Sequence, residues 1–401
     1  MREHFLLDPA VRFLNHGSFG ACPAEVFDEL QRWQRELERN PVAFLGRRSG
    51  ELLAQARTVL ADTMGAHADD LAWVPNATTG VNTVARSLRL QPGDEVLGTD
   101  HEYGACVATW QQVCARAGAH YRELALPLPF EPAEVLPRVL AAIGPRTRVL
   151  FLSHITSTTA LVLPVAELCA AARARGITTV IDGAHAPGQI DLDLAAIGAD
   201  FYTGNCHKWL CAPKGAAFLH VRPEHQAEIE APVVSWGHVA DGLGGHTGLD
   251  AYTGRTRLER RLQWQGTRDL AAFLSVPAAI AFQRRHGWAA WRQRCHEAAC
   301  ATRARVLAAT GLPLPSPDAA HGQMVIIPVK LPAALDADGL RRWLQETHRI
   351  EVPVTQHAGQ VFVRLSVQAY NQPDELDALV SALLQMPGAD APARQSRSGQ
   401  P

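Results

Sequence analysis

Lysine is nearly absent from this sequence. Of its 38 basic side chains only three are lysines, Lys208, Lys214 and Lys330, and the rest are arginine. Any chemistry that needs a side-chain primary amine therefore has three candidates. Against the basic groups stand 40 acidic ones, for a formal net charge of −2, so the cationic excess of a nucleic-acid surface is missing. No stretch of about 18 apolar residues is present to span a bilayer, and residues 1–9 (MREHFLLDP) lack the apolar run of a secretory signal. These absences predict a cytoplasmic protein with neither nucleic acid nor membrane as partner. The eight cysteines include no CxxC pair, which predicts reduced, mostly buried thiols rather than a disulfide framework. Cys206, His207 and Cys211 crowd three potential ligands into one short stretch that matches no usual zinc spacing, so no metal centre is expected. Dinucleotide and P-loop readings fail as well, because the glycine-rich run 242–248 misses the GxGxxG spacing and no GxxxxGK loop occurs.

What is present is a regular alternation. Apolar runs predict strands at Leu71–Pro75, Glu95–Thr99, Arg148–His154, Thr178–Asp182, Asp200–Gly204 and Ala216–Val221, several of them apolar on both faces, as strands covered by helices on each side must be. Helical patterns lie between them at Thr79–Leu88, Gly104–Ala117, Pro132–Ile143 and Val165–Arg175. This order implies an α/β layer architecture with a largely parallel sheet. An earlier amphipathic helix carries Val26, Leu30, Trp33 and Leu37 on one face. After about residue 225 the pattern changes: a glycine-rich stretch, Asp241–Arg255, reads as a loop. Helices at Asp269–Arg285 and Trp288–Ala309, strands at Met324–Val329 and Val361–Val367, and a last helix at Pro373–Met386 then suggest a smaller α+β unit. A chain of 401 residues exceeds the size at which one core stops growing. The expected division is a large domain over 15–268, a small domain made of 1–14 with 269–386, and a disordered tail over 387–401, which is rich in Ala, Pro, Ser and Gly.

The most informative segment is Thr178–Pro213. It places Asp182 at the C-terminal end of an apolar strand, His185 three residues on, and His207-Lys208 just after the next strand. In an open α/β sheet, ligands bind outside the carboxyl ends of the strands, so both groups should face one crevice. An acid and a lysine together there suit pyridoxal 5'-phosphate (PLP). The amine holds the cofactor as a Schiff base, and a carboxylate paired with the pyridine nitrogen keeps the ring an electron sink. Of the three lysines only Lys208 sits beside a histidine and downstream of a strand-end acid.

At this point the chain resembles a known family, the class V aminotransferases of PLP fold type I, and in particular their isopenicillin N epimerase-like members. The resemblance rests on blocks in register across nearly the whole chain: LNHGSFG (14–20), NATTGVN (76–82), DHEYGA (100–105), SHITSTTALVLP (153–164), DGAHAPG (182–188), GNCHKW (204–209), QGTRD (265–269), and VRLS with YN (363–366 and 370–371). It implies a large domain with a mostly parallel sheet, a smaller α+β C-terminal domain, PLP as cofactor, and a homodimer with shared active sites. Residue by residue, Lys208 resembles the Schiff-base lysine, Asp182 the pyridinium partner, and His185 the contact to the ring oxygen. Ala77 and Thr78 resemble the phosphate cradle, with His207 as a further phosphate ligand. Thr267 resembles the residue a second subunit brings to the phosphate. Tyr103 resembles the ring that stacks on the cofactor and is a second acid by position, with His101 as its competitor for that place. Arg364 resembles the arginine that grips the substrate carboxylate, and Asn15 and His16 resemble residues bordering the substrate pocket. Arg47 and Arg48 are candidates for reading a distal acidic group.

Two departures matter. Asn205 and Ser157 stand where many members carry Ser and Asn, so contacts to the phosphate and ring oxygen are expected to be redistributed. No cysteine lies between Cys300 and Arg364, where persulfide-forming desulfurases of the family carry theirs, so that activity is not expected. The remaining expectation is reaction at Cα of an amino acid or amino-acid-bearing peptide. Epimerisation comes first, β-elimination by a C–S lyase on a cysteine S-conjugate or sulfoxide is the alternative, and transamination ranks third.

Overall fold

The computed structural model describes residues 1–242, 249–333 and 335–386. Twelve strands are used below: β1 (Arg12–Phe13), β2 (Leu71–Val74), β3 (Glu95–Thr99), β4 (His120–Leu124), β5 (Thr147–Ser153), β6 (Thr178–Asp182), β7 (Phe201–Asn205), β8 (Ala217–Val221), β9 (Met324–Val329), β10 (Ile350–Glu351), β11 (Val354–His357) and β12 (Gln360–Ser366).

Seven of them form one sheet in the order β2-β8-β7-β6-β5-β3-β4. Its pairs are parallel except for those of β8, which runs antiparallel to both β2 and β7. The central strands are apolar on both faces because helices cover both. Leu97, Leu150, Leu152 and Ile181 pack into one buried cluster, and Val96, Val149, Phe151 and Val180 into another on the opposite face. Each such side chain, once buried, contributes about 1.5–3 kcal/mol. This sheet is the α/β layer the alternation predicts, and all six expected strands are present within a residue or so at each end.

Several elements were not legible in the pattern: the strands β1, β4, β10 and β11 and the helices Ser49–Met64 and Ala337–His348 among them. Strand β4 is an edge strand with exposed positions, and edge strands carry a weak hydrophobic signal. The helix Ser49–Met64 packs against the chain 71 and 276 regions and has seven buried positions, including Ser49 and Arg57, whose polarity masks the apolar face. The segment expected as one helix over 269–285 is two, Ala271–Leu274 and Val276–Arg285, divided at Ser275 just before Pro277. Part of the expected glycine-rich loop is also helical, at Trp236–Gly242 and Asp250–Thr253. Its centre, and the expected disordered tail over 387–401, lie outside the described residues.

The second sheet has three antiparallel strands, β11-β12-β9. Its own apolar cluster joins Val325, Ile327, Val363 and Leu365 to the helices Trp288–Thr310, Ala337–His348 and Pro373–Leu384. The N-terminal segment ties the two layers together. Strand β1 pairs in parallel with β10, Asn15 bridges to Ser366, and the Asn371 side-chain amide donates to the Phe13 carbonyl at 2.9 Å.

Close approach fixes two glycines around the site. Gly80 lies where the helix Ala77–Ser87 crosses β7, and a Cβ there would stand 2.2 Å from Thr203 Oγ1. Gly20 has φ +70°, and a Cβ would meet the His207 carbonyl at 2.1 Å. The first lets a helix N-terminus approach the strand end; the second lets the N-terminal turn lie against the lysine loop.

Candidate active site

A cavity of about 440 Å3 opens at the carboxyl edge of the large sheet. Strands β5, β6 and β7 end there in Ser153, Asp182 and Asn205, and the loop after β7 brings His207 and Lys208. The N-terminal turn adds Gly17, Ser18 and Phe19, and β12 sends in Arg364. Parallel strands necessarily present all their C-terminal ends on one side, which is why residues far apart in sequence converge here.

The floor is buried and closely paired. Lys208 Nζ lies 3.0 Å from His185 Nε2, while the Trp209 indole N–H donates to His185 Nδ1 at 3.3 Å. With Nδ1 accepting, the imidazole proton sits on Nε2 and points at the lysine amine. Burial drives the same assignment, holding His185 well below its ordinary pKa and thus neutral. The Lys208 amine is itself pulled down to about 7, first by burial and then by the Arg364 charge, with Asp182 opposing. An amine with a substantial free-base fraction near neutrality is a competent nucleophile and base. Asp182 is fully buried, and burial pushes its carboxyl up. It accepts from the Ala184 amide at 2.9 Å and from the Cys106 thiol at 3.5 Å. Behind it, Glu102 accepts from the Ser153 amide and hydroxyl and from Thr99 Oγ1, each at 2.6 Å, and burial raises it to about 7.

The anion-binding end is a helix N-terminus. Asn76 caps Ala77–Ser87 by accepting from the Thr79 amide at 2.8 Å, and Asn205 Oδ1 accepts from the Ala77 amide at 2.8 Å. The Thr78 amide is left without a hydrogen-bond partner among the described residues, aimed along the helix axis at the cavity it lines. His207 lines the same end, its Nδ1 held by the Ala216 carbonyl at 3.1 Å; burial lowers it to about 4, so it is a neutral hydrogen-bonding group.

On the opposite wall Arg364 is buried yet incompletely paired. One terminal nitrogen donates to the Ser157 carbonyl and hydroxyl, the other to Ser18 Oγ at 3.0 Å, and Ser18 in turn donates to Asn15 Oδ1 at 2.6 Å. Its Nε has no partner. Burial lowers it to about 10, which still leaves a cation. A buried guanidinium with an orphaned donor on a cavity wall is suited to a carboxylate.

Most residues expected from the sequence thus meet in one place: Lys208, Asp182, His185, His207, Ala77, Thr78, Asn205, Ser157, Tyr103 and Arg364 all line the cavity. Four expectations need revision. His16 does not border the cavity. It is fully buried behind the lysine, with Nε2 3.0 Å from the Lys208 carbonyl and Nδ1 3.1 Å from Tyr370 Oη. Asn15 likewise acts through Ser18, while Ser18 and Phe19 from the same LNHGSFG block form the wall. Ser157 lines the cavity and also accepts from Arg364. Arg47 and Arg48 are exposed, and Arg48 pairs with Glu36 at 2.8 Å; neither lines the cavity. Of the two competitors near residue 100, Tyr103 lines the cavity and is 45% exposed, whereas His101 is buried elsewhere against Thr159 and the Leu126 carbonyl. Thr267 is exposed and outside the cavity of its own chain. No role for Trp209 is expected from the sequence, although an indole N–H donor directly after Lys208 was available to fix the tautomer of a nearby histidine.

Comparison with known proteins agrees with this geometry. The family Aminotransferase class-V matches residues 16–379. The isopenicillin N epimerase of Streptomyces clavuligerus is 43% identical over 95% of this chain and 96% of its own, and that of Amycolatopsis lactamdurans 41% over 96% and 97%. A probable L-cysteine desulfhydrase of Arabidopsis thaliana is 31% identical over 94% of this chain and 83% of its own. Among solved structures, a complex of the cystine C–S lyase C-DES with its product cysteine persulfide superposes with a TM-score of 0.79 at 25% identity, covering 94% of this chain and 97% of the other. A lysine-to-alanine variant of C-DES, with glycine covalently linked to its PLP cofactor, gives 0.83 at 24%, covering 96% and 100%. A floor built around one depressed lysine amine, a buried acid and a free helix N-terminus is therefore that of a PLP-dependent enzyme, and the chain belongs to the class V aminotransferase family.

Proposed function

We propose that this enzyme epimerises an amino acid at Cα, in the manner of the isopenicillin N epimerases, with the amino acid carried free or on a peptide. The observation that carries the reading is the 43% and 41% identity to two such enzymes over nearly the full length of both partners. The site residues have roles that fit. Bound PLP supplies the sink for the electron pair released when Cα loses its proton. Asp182 would hold the ring nitrogen, His185 Nε2–H the ring oxygen, and Thr78, His207 and Asn205 the phosphate. Arg364, through its unpaired Nε and the terminal nitrogen beside it, would orient the substrate carboxylate and so fix which bond at Cα is broken. Lys208 takes the proton on one face. Inversion requires a donor on the other, and the Tyr103 phenol, half exposed on the cavity wall, is the residue assigned to that task.

The family resemblance further supports a homodimer in which Thr267 of one chain serves the phosphate site of the other, and a cytoplasmic location. A second reading, β-elimination from a cysteine S-conjugate, is favoured by the likeness to the C–S lyase C-DES and to the plant desulfhydrases. Incubating a panel of peptides, amino acids and S-substituted cysteines in D2O separates the two. Deuterium at Cα with inversion and no pyruvate is the expected result; pyruvate and ammonia from the S-substituted cysteines, without inversion of any substrate, would overturn epimerisation in favour of elimination.

A further inference from the structure

Outside the cavity, one cluster joins the two sheets. Asp100 and His101 follow β3 of the large sheet, and His357 ends β11 of the small one. Their potential ligand atoms all lie within 4.8 Å of one another. His101 Nε2 is 3.6 Å from Asp100 Oδ1, and His357 Nε2 is 3.7 Å from Asp100 Oδ2. The imidazole centroids are 3.9 Å apart.

The decisive detail is His357. The residue is only 8% exposed, and its Nε2 has no hydrogen-bond partner, a state that buried polar atoms avoid unless something else satisfies them. We propose that Asp100, His101 and His357 form a binding site for a divalent transition-metal ion of the zinc type, clasping the small sheet to the loop that carries Tyr103. Two imidazoles and a carboxylate are a donor set such ions accept. Metal–ligand bonds of about 2.0–2.1 Å in a tetrahedron place ligand atoms roughly 3.3 Å apart. The 3.6 and 3.7 Å histidine–carboxylate separations exceed this by a few tenths of an ångström, and the widest separation in the cluster, no more than 4.8 Å, closes through side-chain rotation of Asp100 and His357.

His101 can supply a lone pair without stranding its other nitrogen. Its Nδ1 lies 2.7 Å from Thr159 Oγ1, which itself lies 2.8 Å from Thr156 Oγ1. With the proton on Nδ1, Thr159 accepts it and donates onward to Thr156, an outer-shell arrangement typical of ligating histidines. Nε2 is then free. The Leu126 carbonyl, 2.8 Å from it, gives up a hydrogen bond and stands as a further oxygen beside the ion. Asp100 is held in place by the Leu126 amide at 2.9 Å, and its carboxylate is 28% exposed, which provides the entry path. His101 precedes Tyr103 by two residues, so an ion here would fix the loop that forms one wall of the cavity.

The test uses the PLP-loaded enzyme after dialysis against a chelator, titrated with Co2+ and then Zn2+. Wild type is expected to take up one Co2+ per chain with a visible ligand-field band that Zn2+ bleaches, and to gain thermal stability as it binds. His357→Ala and Asp100→Asn should each weaken uptake at least tenfold and lose the band, while keeping the cofactor absorption that reports a folded site. Equal uptake by wild type and both variants, or none by wild type, would overturn the proposal. Anomalous scattering from a zinc-soaked wild-type crystal decides the location without any variant: density among these three residues supports the site, and zinc found only elsewhere refutes it.

Discussion

The two walls of the cavity are built on different plans. On the large-sheet side the side chains of the floor are answered from within the chain, while the Thr78 amide at the helix N-terminus stays open for an anion. Trp209 sets the tautomer of His185, His185 faces Lys208, Ala184 and Cys106 hold Asp182, and Ser153 and Thr99 satisfy Glu102. On the small-sheet side Arg364 keeps an unpaired buried donor, and the aromatic side chains nearby are open: Phe19 of the N-terminal turn is 72% exposed and Tyr103, on the loop after β3, 45%. The floor side chains of one wall are fixed before any ligand arrives; the arginine of the other is completed by one. The first therefore belongs to the resident cofactor and the common chemistry. The second belongs to the substrate, and it is there that relatives of similar fold can diverge.

This contrast can be broken experimentally, most severely on the finished side. Lys208→Ala should lower kcat by about four orders of magnitude or more, since the base and the covalent anchor go together, and should abolish the visible imine absorption of the purified enzyme. A variant that keeps both would remove Lys208 from the centre of the floor. Arg364→Ala comes next. Losing a charged, partly bidentate contact of about 3–4 kcal/mol lowers kcat/KM roughly 100- to 1000-fold while leaving the cofactor spectrum intact. A change in the spectrum with unaltered kcat/KM would mean that the open wall serves the cofactor instead. The pH dependence is smaller. With its pKa lowered to about 7, the Lys208 amine is protonated below that value and free above it. Capture of added PLP by cofactor-stripped enzyme should therefore rise about tenfold per pH unit up to neutrality and then level. A rise that continues to pH 9 or beyond would show that the amine titrates like an exposed lysine. Trp209→Phe is the mildest: the ring volume remains, one hydrogen bond worth about 1 kcal/mol is lost, and kcat should fall around fivefold as His185 loses its tautomer preference. No change in kcat, or in the cofactor spectrum, would make Trp209 a packing residue after all.

The finished wall was also the one legible in the sequence. Asp182, His185, His207 and Lys208 fall in a single segment at strand ends, where strand polarity alone predicts convergence. The open wall was harder to read, because Ser18, Phe19 and Arg364 meet only through the pairing of the N-terminal segment with strands that follow residue 323. His16 shows the limit. The block that contains it was recognised, yet nothing local distinguishes a histidine facing the cavity from one turned back onto the Lys208 carbonyl. Strand β4 and the helix Ser49–Met64 escaped for a related reason, since exposed edge positions and buried polar residues such as Arg57 blur the periodicities that mark strands and helices.

The N-terminal tie has a consequence for how the enzyme is made. Arg12 and Phe13 pair with Ile350 and Glu351, and the Ser366 amide donates to the Leu14 carbonyl at 3.0 Å, so the first strand synthesised has no partner until nearly the last has left the ribosome. The large sheet has all seven strands by residue 221 and can collapse while translation continues. The substrate wall cannot, because its two halves, Ser18 and Arg364, lie 346 residues apart along the chain. A nascent chain released before β12 would carry the lysine and the acid without the arginine that selects what they act on.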